Sequence, residues 1–151
     1  MTEILFYHLQ QQPLEKVLPA LLEKTLERGW KAVIRTGSEE RLDVLDEILW
    51  TYRDDSFLPH GKSGDGQPAR QPIYLTTKIE RPNAAEVLFV VDAAPLGEIG
   101  DAPYLRIVLL FDGNDPDQTA LARSEWKAIQ SGGLTATYWQ QNDQGRWEKR
   151  A

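Results

Sequence analysis

The chain has 151 residues, a length that fits one domain with a single core. Apolar residues make up 41% and charged residues 26%, which argues against intrinsic disorder, collagen-like repeats and a coiled coil. The net charge of −6 argues against nucleic-acid binding over the whole surface, so any site for an anion must be local.

Cysteine is absent from the chain. Its absence excludes disulfide frameworks, thiolate zinc sites and catalytic thiols, and it suits a reducing compartment. The N-terminus lacks the pattern of a secretory signal, and the longest apolar runs, Val87–Val91 and Ile107–Phe111, fall far short of the roughly 20 residues of a membrane span. We therefore expect a soluble, cytoplasmic protein without membrane contact.

The first strand and the first helix follow each other directly. An aromatic and branched run over Ile4–Leu9 predicts a buried strand. Apolar residues at helical spacing from Leu14, closed by Gly29, predict a helix. Pro19 lies within this pattern, so the helix either begins near Leu18 or kinks there, because proline lacks the backbone donor.

A second strand and a second helix come next. Residues 30–36 predict the strand, and Thr36 and Ser38 are two candidate N-caps for the helix. The apolar residues of that helix are Leu42, Leu45, Ile48 and Leu49. The order of strand, helix, strand and helix predicts a parallel sheet.

Residues 53–72 are rich in glycine and proline and predict a long loop, of the kind that is usually functional or mobile. Within it, Gly61-Lys62-Ser63 resembles the end of a phosphate-binding loop. Ser56 stands where that motif needs its first glycine, and residues 10–13 after the first strand lack the glycines of a dinucleotide site. A nucleotide-binding α/β enzyme, a hydrolase or transferase that uses Gly61-Lys62-Ser63, is the alternative function.

The second half of the chain predicts four strands and one helix. Strands are predicted over residues 73–77, 86–91, 104–111 and 134–139. A turn over residues 112–116 leads into a helix over about residues 117–131, which Gly132 ends. The segment beyond Asn142 is polar and charged.

This third helix carries the most informative cluster of side chains. At about 100° per residue, Arg123 and Lys127 share one stripe, and Trp126 lies between that stripe and the apolar edge. The two cations can bind carboxylates, and the apolar surface beside them can pack against an aromatic ring of a ligand. The cluster therefore suits an acidic peptide with an aromatic end. The other interpretation is a solvated basic face near the helix C-terminus, and the helix pattern alone favours it.

A second cluster consists of large apolar groups at a helix end and in the adjoining loop, around Trp50 and Phe57. Such residues more often complete a core, although loop aromatics also anchor interfaces. His8 and His60 are the only histidines, too few for a histidine metal cluster, and His8 fits a structural role at a strand end. The sequence nominates neither an enzyme active site nor a cofactor.

Four motifs taken together resemble the chi subunit family of bacterial DNA polymerase III. They are Phe6-Tyr7, Leu45–Trp50, Ser56–Gly61 and Arg123-x-x-Trp126-Lys127, in the family's order over roughly residues 1–140. The resemblance implies a chi-like three-layer α/β/α domain over residues 1–140 with a mixed, mostly parallel sheet. This fold is similar to a nucleotide-binding fold without its nucleotide site, and a polar tail over residues 141–151 follows it.

The resemblance also implies a function. Chi proteins are non-catalytic accessory subunits, without a cofactor, that link the clamp loader to the acidic C-terminal tail of single-stranded DNA-binding protein. Arg123, Trp126 and Lys127 match the family's residues for that tail. Trp50 and Phe57 match the aromatic surface that meets the small psi subunit or, in some bacteria, a repair helicase. Contact with DNA is expected to be indirect.

Overall fold

The computed structural model describes residues 2–10, 12–52, 58–97 and 103–151. The described strands are β1 Glu3–Leu9, β2 Ala32–Arg35, β3 His60–Lys62, β4 Ile73–Thr76, β5 Val87–Val90, β6 Arg106–Asp112, β7 Ala136–Gln141 and β8 Trp147–Lys149. The described helices are α1 Leu14–Glu27, α2 Glu39–Thr51, α3 Pro116–Ser131 and a 3-10 turn, Pro68–Arg70.

The described strands form one sheet in the order β3-β4-β2-β5-β6-β1-β7-β8. Neighbouring strands run parallel as far as β7, and β8 pairs with β7 in the antiparallel sense. The predicted α/β fold with a mixed, mostly parallel sheet is therefore confirmed.

The sheet separates two hydrophobic cores, because successive strand residues point to opposite faces. Leu5 belongs to the core that α1 and α2 cover, and Phe6 belongs to the core that α3 covers. On α3 the buried residues are Ala122 and Ile129, the apolar edge of the predicted helix. The three predicted layers are thus present, with α1 and α2 on one face and α3 on the other.

Local sequence signals explain where the first two helices begin. The helix α1 starts at Leu14 and contains Pro19, so the predicted alternative of a start near Leu18 is wrong. Both Leu18 and Pro19 are buried against the sheet, and this burial compensates for the missing backbone donor of the proline. The N-cap of α2 is Ser38, whose side chain accepts a hydrogen bond from the backbone N–H of Arg41.

The segment over residues 58–72 is more regular than the predicted loop. It contains the edge strand β3, which pairs with β4 so that His60 lies opposite Ile73. Lys62 lies in this strand, and its Nζ is 3.0 Å from the Asp43 carboxylate. The prediction of a continuous loop is therefore wrong at residues 60–62 and 68–70, and Gly61-Lys62-Ser63 does not have the geometry of a phosphate-binding loop.

The polar segment over residues 141–151 also joins the sheet. It carries β8, whose Trp147 ring stacks on Tyr7 with 4.8 Å between the ring centroids. The backbone N–H of Tyr138 donates to a main-chain oxygen of Ala151, and the N–H of Arg150 donates to the carbonyl oxygen of Tyr138. This pairing fixes the segment beside β7.

Candidate functional site

A cleft of about 250 Å³ lies beside α3, on the face of the sheet that this helix covers. Apolar walls from Phe111, Ala122 and Trp126 bound it, and Arg123 and Lys127 contribute its two cations. Both cations are exposed and lie one helical turn apart on α3. The structure thus brings the three residues singled out on this helix into one cleft.

The indole of Trp126 is held by two edge-to-face contacts. Its ring centroid lies 5.3 Å from that of Phe6, with 83° between the ring planes, and 5.9 Å from that of Tyr138, at 90°. Aromatic pairs in this arrangement are favourable beyond the area they bury. The apolar wall of the cleft is consequently preformed.

The inner surface of the cleft includes two polar residues that the sequence patterns did not suggest, His8 and Tyr138. The Nδ1 atom of His8 is hydrogen-bonded to the Tyr138 hydroxyl. Burial, with a smaller contribution from the Arg123 guanidinium, lowers the pKa of His8, while the Asp112 carboxylate opposes this shift. Burial also raises the pKa of the Tyr138 phenol. The positive charge on these walls therefore comes mainly from Arg123 and Lys127.

Trp50 lies far from this cleft in the architecture, on α2 and thus on the opposite layer of the sheet. Its side chain is 58% exposed, and its ring centroid lies 4.6 Å from that of His60. His60 is buried, with its Nδ1 atom 2.6 Å from the carbonyl oxygen of Leu58 and its Nε2 atom 3.2 Å from the Asp46 carboxylate. Trp50 is therefore an exposed aromatic residue at a helix end that packs firmly against the sheet. Phe57, the other residue of the predicted aromatic surface, lies outside the described residues.

A second cavity, of about 470 Å³, opens at the carboxyl ends of β1 and β6. After β1 the chain continues to one face of the sheet, and after β6 it continues to the other. Open α/β sheets commonly bind ligands in the crevice between two such strands. Here the Arg41 guanidinium lies between the carboxylates of Glu15, at 2.9 Å, and Asp92, at 3.0 Å. Because two acidic groups already neutralise this arginine, the cavity is poorly suited to a nucleotide phosphate.

Two structural findings bear on other classes of function. No group of three or more histidine, cysteine or acidic side chains in the described part of the chain could hold a metal ion. No helix within the same residues is long and apolar enough to cross a membrane. The shape and charge of the cleft beside α3 both point to a ligand.

The chain matches a family model described as "DNA polymerase III chi subunit, HolC" over residues 1–137. It is also similar to the "Probable DNA polymerase III subunit chi" of Rickettsia prowazekii (strain Madrid E). The two sequences are 35% identical over 117 residues, which cover 74% of this chain and 71% of the relative. The family match includes all of α3 and therefore Arg123, Trp126 and Lys127.

Proposed function

The chain belongs to the DNA polymerase III chi subunit family, and from this premise we propose that it is a non-catalytic adaptor in bacterial DNA replication. The adaptor links the clamp loader of DNA polymerase III to the acidic C-terminal tail of single-stranded DNA-binding protein. Membership of the family supports an accessory role in replication. The cleft beside α3 supports the tail as its ligand.

One observation carries the tail assignment: two exposed cations stand next to a preformed apolar cleft of about 250 Å³. The cations Arg123 and Lys127 suit carboxylates, which they bind by charge-assisted hydrogen bonds. The walls formed by Trp126 and Tyr138 suit an aromatic side chain. An acidic peptide with an aromatic end satisfies both parts of the cleft at once.

The charge of the whole chain adds selectivity to this proposal. A net charge of −6 disfavours an acidic peptide on the chain as a whole, and the two cations on α3 counter this locally at the cleft. An acidic tail is therefore directed to this cleft and bound there in a defined orientation.

The proposal predicts that Arg123→Ala and Lys127→Ala each weaken binding of an acidic peptide that ends in phenylalanine by about ten-fold or more, because a hydrogen bond to a charged group contributes about 1.5 to 3 kcal/mol. Isothermal titration calorimetry measures this affinity directly. Lys24→Ala is the matched control, since Lys24 is an exposed cation on α1, across the sheet from the cleft. Equal affinities for all three variants and the parent chain would refute the site.

We propose Trp50 and Phe57 as the surface for the psi subunit or a repair helicase. The exposure of Trp50 supports this assignment, because large exposed aromatics often anchor interfaces. Its position on α2 leaves the cleft beside α3 accessible, so the protein could hold both partners together. That geometry is what an adaptor requires.

A further inference from the structure

We propose that His8 and Tyr138 form a proton-coupled pair, so that His8 takes up a proton when an acidic peptide enters the cleft and the peptide binds more tightly as the pH falls. This inference rests on the proposed function, because it concerns the same cleft and the same ligand. It adds a contact of the Tyr138 hydroxyl with a peptide carboxylate, and a pH response that the two cations alone would not produce.

The position of His8 is fixed by its surroundings. Its ring lies against Phe111, with 4.9 Å between the ring centroids, and its Nδ1 atom is hydrogen-bonded to the Tyr138 hydroxyl. The Nε2 atom is buried and has no hydrogen-bond partner among the described residues. The backbone of Gly113 packs against Nε2 so closely that a Cβ at this glycine would overlap it. Proton exchange at Nδ1 is therefore coupled to Tyr138.

The direction of this hydrogen bond depends on the protonation of His8. The coupling uses the tautomer of neutral His8 that carries its proton on Nε2, in which the Tyr138 hydroxyl donates to Nδ1. When Nδ1 also gains a proton, it becomes a donor and the Tyr138 oxygen must accept. The phenol proton is then free to point to a carboxylate in the cleft. Protonation of His8 and binding of a carboxylate thus favour each other.

The charged groups around His8 support the same coupling. Arg123 on α3 disfavours the imidazolium, as burial does, whereas Asp112 at the end of β6 favours it. Lys127 on α3 adds a second positive charge to the cleft, and Tyr138 contributes a neutral phenol from β7. A peptide carboxylate bound at Arg123 compensates these cations and raises the pKa of His8. Between the pKa values of the free and bound forms, binding takes up a proton.

Calorimetry tests this coupling with a synthetic peptide of several aspartates and a C-terminal phenylalanine. The binding enthalpy is measured in two buffers that differ in ionisation enthalpy, between about pH 5.5 and 7.5, where aspartates stay ionised and histidine titrates. We expect uptake of a fraction of one proton, and an affinity that rises towards low pH by at most about ten-fold for each unit that the pKa of His8 rises. His8→Phe should remove both effects, and Tyr138→Phe should reduce them while keeping the ring contacts.

Nuclear magnetic resonance of the unmodified chain gives a second test that does not depend on any variant. The chain has two histidines, and His60 lies in the edge strand β3 with its ring against α2, so it is an internal control. We expect the titration of His8 to move to higher pH when the peptide is added, and the ring signals of His60 at a fixed pH to stay in place. A peptide that binds without proton uptake and without moving the titration of His8 overturns this inference alone. A peptide that does not bind at any pH overturns the proposed function with it.

Discussion

Gly37 is a residue at which the backbone tolerates little change. It lies between β2 and α2, and its backbone is so close to the carbonyl oxygen of Asp92 that a Cβ at this position would overlap it. Asp92 and the following Ala93 already hold positive φ angles, of 52° and 62°, which L-residues seldom adopt. The turn after β5 therefore has little freedom to move away.

We predict that Gly37→Ala lowers the free energy of unfolding by about 2 to 3 kcal/mol, the cost of forcing extra atoms into a close-packed site. Gly132→Ala is the matched control, because Gly132 has an ordinary φ of −79° and a Cβ there would meet its nearest neighbour at 3.4 Å. That control should change the free energy by about 0.5 kcal/mol or less. Urea denaturation of both variants provides the comparison, and equal stabilities would contradict the steric argument.

At the scale of single elements, α2 combines a buried face with an exposed partner surface. Its buried residues are Leu42, Leu45 and Leu49, which pack under the sheet, whereas Trp50 is exposed at the end of the same helix. A helix built in this way can lose a surface side chain without losing its attachment to the core.

Trp50→Ala should therefore abolish binding of purified psi subunit or helicase and leave the affinity for the acidic peptide unchanged. We expect it to lower the free energy of unfolding by about 1 kcal/mol or less, as is usual for a surface change. Val44→Ala is a control on the same helix, since Val44 is exposed but is not part of the proposed surface. A loss in the range of about 2 to 5 kcal/mol, typical of a core truncation, would instead assign Trp50 a structural role.

The elements also differ in how far the sequence predicts them. The three helices carry amphipathic patterns and polar residues at their first turns, and the structure confirms all three. The strands β3 and β8 were not predicted, because each has three residues and neither shows the alternation of a longer strand. Pairing with β4 and β7 stabilises them, and such long-range pairing leaves no local signal.

At the scale of the whole molecule, the cleft is assembled from segments that are far apart in the sequence. The sequence could indicate the shared stripe of Arg123 and Lys127, because that depends on a single helix. It could not indicate that His8 and Tyr138 meet there, since this follows from β1 lying between β6 and β7. The register that places Phe6 opposite Tyr138 completes the site. Sheet order, rather than any motif, therefore determines the inner surface of the cleft.

The charge distribution of the whole molecule leads to a last prediction, that free single-stranded DNA binds weakly. The net charge is −6, and the cleft offers two cations, so few counterions are released when a polyanion binds. With two phosphates neutralised, the logarithm of the binding constant should fall with the logarithm of salt concentration with a slope of only about −1.4.

Fluorescence anisotropy with a labelled oligonucleotide measures both the affinity and this slope. At about 0.15 M salt, weak non-specific binding corresponds to dissociation constants of about 10⁻⁴ to 10⁻⁶ M, and we expect this chain to fall at or beyond the weak end of that range. Adding single-stranded DNA-binding protein should recruit the chain to the same oligonucleotide, and Arg123→Ala should reduce that recruitment. Submicromolar binding to DNA alone, with a slope much steeper than that of two phosphate contacts, would show a direct nucleic-acid surface and contradict the adaptor.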